Sequence, residues 1–447
     1  MKSSKSYRWR YTLNDQKNLD SCHDQLGKIP DGWSMVKLKY LVDFNSETLD
    51  NRTDPDFEFN YIQISDVDQY SGIKFGKKIR FKDAPSRARR VLRKNDIIIS
   101  TVSAYMRTIS QVPECQNLIG STGFCVLRKK NNKLNFRYLY YFVVSDWFID
   151  RLISESEGVC YPIINSSDLV KLKVLTPPPP PPTDQELIAH FLDKKTYLID
   201  SLIKRIQKKI ELLKEQRISL INHCVTNGLD SNVETKDSGV KWICEIPKNW
   251  ETVRLKYLTN SQKELSKSGE EELLSVTEKK GIVKRRELKG DDENLSRSEN
   301  LIGYRIVKKG DLVNNIMLVW KRGLGVSSYD GIVSPAYSVF SFNNNCDPTY
   351  FNYLLRSDVY ISEFRRNSKG ITNSRLRLYD NSFENVIALL PPLIEQKSIS
   401  RYLDKKNEII DKTIFLLEKK INLYSEYRQT LISSVVTGKI SVSEGMR

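Results

Sequence analysis

The sequence predicts an α+β fold: two domains of mixed strands and helices, each followed by a long α-helix, with the two helices pairing as a coiled coil. Three observations predict it. A long heptad segment occurs twice, an opening motif recurs ahead of each copy, and prolines mark the joint before each. The first segment, residues 184–228, reads DQELIAHFLDKKTYLIDSLIKRIQKKIELLKEQRISLINHCVTNG. The second, 395–438, reads EQKSISRYLDKKNEIIDKTIFLLEKKINLYSEYRQTLISSVVTG. They align without a gap at a shift of 211.

Each segment carries apolar residues every seven positions. Leu192, Ile199, Ile206, Leu213 and Leu220 form one seam, and Leu403, Ile410, Leu417, Tyr424 and Leu431 form its counterpart. Ile203 and Ile210, then Ile414 and Ile421, add a second stripe. This is coiled-coil spacing. Neither segment is interrupted by proline, and the Lys, Glu, Leu and Ile content favours helix. At ~1.5 Å per residue each is a rod on the order of 60 Å long. So narrow a seam needs a partner, and the other copy is the obvious one.

The remaining elements follow in chain order. Residues 1–26 are polar and read as an extension. The first domain spans 27–183 and opens on Ile29-Pro30 and Trp33, echoed by Ile246-Pro247 and Trp250 in the second domain, 244–394. The alternation after each tryptophan predicts a strand or short helix. Leu92–Ile97 and Val307–Leu312 both read as a turn into an apolar strand. Tyr138–Phe142 before Ser145-Asp146, and Tyr350–Leu354 before Ser357-Asp358, both read as aromatic amphipathic helices. Pro177–Pro182 and Pro391-Pro392 end the two domains, since proline continues neither ladder nor helix. After the first helix Asn227-Gly228 reads as a C-cap. Residues 229–243 read as a linker and 439–447 as a tail. Between the shared anchors the two domains diverge almost completely.

Of 447 residues, 71 are Lys or Arg and 55 are Asp or Glu, a formal net charge of +16. So basic a chain points to a polyanion. No apolar run approaches ~20 residues and no secretory signal is visible, which predicts a cytoplasmic protein without a membrane span. The seven cysteines form no CxxC pair, and Cys22-His23 and His223-Cys224 have no second ligand pair nearby. They predict reduced thiols and no metal site.

The densest basic run supplies the first candidate DNA contacts: Lys74, Lys77, Lys78, Arg80, Arg87, Arg89 and Arg90, with Asp83 the only acid between Lys74 and Lys94. Lys and Arg attract phosphates, and Arg pairs with guanine edges. A polar loop after an apolar strand adds Tyr105 and Arg107. The second half offers Arg285, Arg286, Trp320, Lys321, Arg322, Arg375 and Arg377. The competing reading is a solvated charge run with ordinary turn chemistry. Catalytic signatures do not occur. There is no GxxxxGK[ST], no GxGxxG and no Asn-Pro-Pro-aromatic tetrapeptide, and the three histidines have no partner pattern. Asp291-Asp292-Glu293 reads as an exposed acidic loop. No catalytic residue is assigned.

The paired opening motifs, the proline joints leading into Asp184-Gln185 and Glu395-Gln396, and the LDKK…ID…KKI…E.R..LI…VT rods together resemble the DNA-specificity subunit of type I restriction–modification enzymes. The resemblance covers roughly residues 27–438. It implies two target-recognition domains of mixed α/β character that read the halves of a bipartite, asymmetric site in double-stranded DNA, held apart by the two helices paired as an antiparallel coiled coil with internal pseudo-two-fold symmetry. It also implies two modification subunits, which bind S-adenosylmethionine and methylate adenine, and two restriction subunits that use ATP and Mg, with no cofactor in this chain. The alternatives are the specificity subunit of a related bipartite-site type II system, a self-sufficient DNA-modifying enzyme, and a coiled-coil adaptor.

Overall fold

The computed structural model describes residues 29–68, 72–76, 78–131, 134–158, 162–177, 183–230, 232–288, 301–370 and 376–442. The N-terminal extension, prolines 178–182, Lys77, the acidic triplet at 291–293 and Arg375 lie outside the described residues.

The two rods are continuous helices, Thr183–Asn227 and Leu393–Val436. The second begins two residues ahead of the expected Glu395, because the Pro392 carbonyl already accepts from the amides of Glu395 and Gln396. Gly228 and Gly438 adopt φ of 82° and 73°, left-handed conformations that stop a helix at little steric cost. The chain forms two compact units. One holds the residues up to Ile206 with those from Lys419 onward, and the other is Gln207–Glu418. The first half of one rod thus shares a unit with the last part of the other, and the converse holds in the second unit, as antiparallel pairing requires.

In the first unit the chain turns at Pro30, whose carbonyl accepts from Trp33, and enters strand Ser34–Lys37. That strand pairs antiparallel with Lys173–Thr176. A four-stranded antiparallel sheet follows, in the order Val42–Phe44, Phe124–Lys129, Ile97–Ser100, Ile109–Gln111. Its centre is the wholly buried Ile97-Ile98-Ile99, β-branched residues suited to a pleated interior. A second sheet runs Lys78–Arg80, Glu58–Ile62, Leu118–Ser121, Ala88–Leu92, with Glu58–Ile62 parallel to Leu118–Ser121. Helix Phe136–Val143 is capped by Asn135, whose side chain accepts from the amides of Arg137 and Tyr138. Its buried Tyr138, Tyr141 and Phe142 pack in one core with Leu192, Ile199, Leu431, Ile432, Val435 and Val436 of the long helices.

The second unit repeats this frame. Strand Glu251–Arg254 pairs antiparallel with Ile387–Leu390. The four-stranded sheet recurs in the same order: Thr259–Gln262, Tyr337–Phe342, Leu312–Asn315, Leu324–Val326. Helix Pro348–Leu355 carries Tyr350 and Phe351 into a core with Cys224, Val225, Ile399 and Leu403. The expected divergence therefore lies outside this sheet. In place of the first unit's second sheet stand two separate strand pairs, Leu274–Thr277 with Gly281–Lys284 and Arg305–Val307 with Gly331–Val333.

Residues 232–243 of the expected linker are structured. Thr235–Asp237 pairs antiparallel with Glu245–Pro247, and Val240 and Ile243 are buried in the second unit's core. All three residues of Thr235–Asp237 are exposed, and the pairing is made by backbone with one polar side-chain bond, Thr235 to Glu245, so it leaves no apolar signature.

Candidate nucleic-acid interface

The basic run is less cationic in space than in sequence. Arg80 lies 3.7 Å from Asp56 and 3.6 Å from Glu58, and Lys82 lies 2.8 Å from Asp56. Arg93 pairs with Glu47 and Lys94 with Glu114. The acids come from neighbouring strands and loops, which a linear count misses. Among the described residues Lys74, Lys78, Arg87, Arg89 and Arg90 have no ion pair; Lys74, Lys78 and Arg87 are exposed. Arg89 stacks over Phe81 at 4.8 Å. Arg90 is half-buried beside Cys125, and burial lowers its pKa.

In the second unit Arg286 lies 3.0 Å from Glu272, and Arg285 is half-buried in the 3-10 turn Arg285–Glu287. Arg377 is exposed and bonds Lys369 through the backbone in both directions. The Trp320 ring is mostly buried. Its indole N–H donates to the Met317 carbonyl, and Lys321 and Arg365 lie 4.9 and 5.6 Å from its ring.

Arg107 and Arg322 occupy equivalent places. Each ends a short 3-10 segment with a left-handed backbone, φ 53° and 65°. Arg107 Nη2 reaches Asp146 Oδ1 at 2.6 Å, and Arg322 Nη2 is bonded to Asp358 Oδ1. Both acids stand at the first position of a helix, Asp146–Ser154 and Asp358–Asn367, where a carboxylate is favoured. The two guanidinium groups are thus engaged within the chain. The Ser-Asp pairs of these helices were legible in the sequence, but their arginine partners were not.

All ten seam positions lie on covered faces. Leu192, Ile199, Leu403, Ile410 and Leu431 are buried, and Ile206, Leu213, Leu220, Leu417 and Tyr424 are half-buried. The rods also hold their domains through repeated contacts. The Gln185 side chain accepts from Asn135 N at 2.7 Å, and Gln396 accepts from Asp347 N at 2.8 Å. Tyr138 donates to the Leu175 carbonyl, Tyr350 to that of Leu389; the Val436 and Val225 carbonyls lie 3.3 and 3.4 Å from the respective hydroxyls. Tyr141 donates to Asp193 and Tyr353 to Asp404, both at 2.6 Å. Asp200 pairs with Arg428 at 2.9 Å, and its repeat image Asp411 pairs with Arg217. Other apolar residues of the rods are exposed, among them Leu198 and Leu212 on the first and Tyr402, Ile409, Leu416 and Leu423 on the second.

Two cavities border this frame. One, of about 880 Å³, is lined by Arg137, Tyr141, Asp193, Asp200 and Arg428 among others, and its opposite charges pair across it. The other, of about 370 Å³, holds Arg356, whose pKa is pushed down to about 10 by burial and by neighbouring Arg322. Arg356 donates to the carbonyls of Arg322, Leu324 and Glu278 and has no acid partner among the described residues. Among those residues no group of His, Cys, Asp and Glu is placed to hold a metal ion, and no helix is long and apolar enough to cross a membrane.

Comparisons with known proteins agree with this geometry. The family described as the type I restriction modification DNA specificity domain matches residues 30–212. The specificity subunit of the type I restriction enzyme MjaVIII of Methanocaldococcus jannaschii is 24% identical over 336 residues, covering 71% of this chain and 73% of that one. The putative MjaX specificity subunit of the same organism is 26% identical, covering 94% and 96%. A chain from a structure of type I R-M complex assembly superposes with a TM-score of 0.66 at 19% identity, covering 92% of this chain and all of that one. The HsdS subunit of Thermoanaerobacter tengcongensis superposes at 0.52, also 19% identical, covering 92% and 98%.

Proposed function

We propose a function that proceeds from one premise: this chain belongs to the DNA-specificity subunits of type I restriction–modification enzymes. It is the non-catalytic recognition subunit. Each unit reads one half of a bipartite, asymmetric site in double-stranded DNA, and the paired rods set the spacing of the halves. One observation carries this reading. The frame contacts of Gln185, Tyr138 and Asp200 recur at Gln396, Tyr350 and Asp411, while the distal strands differ in their pairing. Repeated frame with unlike contents is what two readers of unlike half-sites require. A related spatial logic joins protein dyads to duplex DNA, whose half-sites lie one helical turn, about 34–36 Å, or a multiple of it, apart.

The exposed apolar residues of the rods support docking of the modification subunits. Tyr402, Ile409, Leu416 and Leu423 are spaced by seven on the second rod, a heptad stripe distinct from the covered seam. Two modification subunits and two restriction subunits complete the assembly, and S-adenosylmethionine, ATP and Mg bind in those partners in the cytoplasm.

The test is reconstitution. The chain with its modification subunits and S-adenosylmethionine is expected to methylate adenines within one bipartite site, and the chain alone to methylate nothing. Methyl transfer by the isolated chain, or a complex without site preference, would contradict the reading.

A further inference from the structure

We infer that the loops 103–107 and 316–322 are the base-reading elements of this chain, and that Arg107 and Arg322 position them instead of touching DNA. The inference rests on the DNA-reading function proposed above.

The first loop is built to hold its tip outward. Ser103 and Arg107 both have left-handed backbones, φ 52° and 53°, on either side of the 3-10 turn Ala104–Met106. Non-glycine residues adopt that conformation at a cost that the surroundings must offset, and such strain gathers at binding loops. The surroundings here are explicit. Ser103 N donates to the Pro162 carbonyl at 2.8 Å, Met106 N to Ser103 at 2.9 Å and Ile109 N to Arg107 at 2.9 Å. The result leaves Tyr105 and Met106, both large and apolar, 53% and 63% exposed. Ile163, bridged to Val102 at the base of the loop, is exposed as well. An apolar tip on a rigid support calls for an occupant. A chain of +16 selects duplex DNA, where aromatic and methionine side chains pack against thymine methyls or wedge between base steps.

The second loop repeats the plan with other residues. Met317 is the exposed apolar tip, its amide held by Asn315 Oδ1 at 3.1 Å, and Arg322 closes the loop with φ 65°.

A relay ties each tip to a rod. Arg107 binds Asp146 Oδ1, and Ser433 of the second rod bonds both the Asp146 amide, at 3.0 Å, and Asp146 Oδ2, at 3.1 Å. Arg322 binds Asp358 Oδ1, and Asn222 of the first rod bonds the Asp358 amide, at 3.1 Å, and Asp358 Oδ2, at 3.4 Å. Asn222 and Ser433 are 211 residues apart, so they are images under the repeat. Each tip is therefore tied within its own unit to an equivalent rod position by the same Arg-Asp-polar chain. Rods that set a spacing are useful only if the reading atoms are fixed to them, and the relay supplies that fixation.

The experiment maps adenine methylation of a randomised DNA library by the reconstituted complex. Tyr105→Ala with Met106→Ala is expected to lower discrimination about ten-fold at bases of one half-site, the scale of one base contact, with the other half-site and the melting temperature unchanged. Met317→Ala is expected to act in the other half-site only. Asp146→Asn and Ser433→Ala are expected to relax the same bases as the Tyr105/Met106 variant. Arg107→Gln is expected to leave the salt slope of binding unaltered. Unchanged base preferences in the tip variants would overturn the inference, as would loss of subunit assembly, which would make the tips protein contacts. A salt slope lower by about one in Arg107→Gln would make Arg107 a phosphate contact and overturn its positioning role. A wild-type complex with no preferred site would overturn the proposed function itself.

Discussion

Asp96 and Asp311 occupy the same turn in the two domains and meet different surroundings. Each caps its turn through the amide three residues back, Arg93 and Lys308. Asp96 also has Arg128 at 2.7 Å; Asp311 has no ion pair among the described residues. Burial pushes the Asp311 carboxyl above its ordinary range, against the Lys308 amide and charge. The folded state therefore keeps this proton at pH values where the unfolded chain has lost it. That contribution to stability is present in acid and is lost as pH rises above about 4. Asp311→Asn keeps an acceptor for the amide and removes the charge. Its melting temperature is expected to equal or exceed wild type at pH 7, with any advantage vanishing below about pH 4. A second expectation at this scale concerns phosphates. Lys74, Lys78 and Arg87, exposed and without ion pairs among the described residues, are expected on joint replacement by Ala to reduce the salt slope of DNA binding by about one per contact. Binding titrations at several salt concentrations check this, and an unchanged slope would assign the three to solvent.

The rods are the elements on which both domains depend. Gln396 is fully buried, accepts from Asp347 N and donates to the carbonyls of Asn345 and Pro391. Gln396→Leu leaves these backbone groups without partners, at about 1–3 kcal/mol for each that stays unsatisfied. Denaturant unfolding is expected to show a loss of at least ~2 kcal/mol. Ile206→Asp places a carboxylate on a covered face and is expected to cost a similar amount. Leu416→Asp with Leu423→Asp changes exposed positions instead. It is expected to leave stability within about 0.5 kcal/mol while abolishing co-purification with the modification subunits. Intact co-purification would remove the stripe from the docking surface. These elements were plain in the sequence because helical seams repeat every seven residues, and Gln185 and Gln396 stood at matching places in both copies. The ordered hairpin at 235–247 was hidden, since Thr235–Asp237 is wholly exposed and pairs through its backbone and a polar side-chain bond from Thr235 to Glu245.

At the scale of the molecule, what was legible is local in sequence and what was hidden is not. The central sheet recurs strand for strand, but it joins Val42–Phe44 to Phe124–Lys129 across some eighty residues, and no periodicity announces such pairing. The parallel pairing of Glu58–Ile62 with Leu118–Ser121 was invisible for the same reason. The basic run looked denser than it is, because Asp56, Glu58, Glu47 and Glu114 approach it only on folding. Arg107 and Arg322 were legible as basic loop residues; their acids, 39 and 36 positions on, became visible only in the fold. In the proposed function the rods carry the frame and each domain carries half of the recognised sequence. Exchanging residues 42–177 for the corresponding segment of a family member that reads a different site, and then sequencing methylated adenines made by the reconstituted complex, tests it most directly. One half-site is expected to become the donor's while the other half and the spacer stay as they were. A change in both halves, or in neither, with assembly intact, would contradict it.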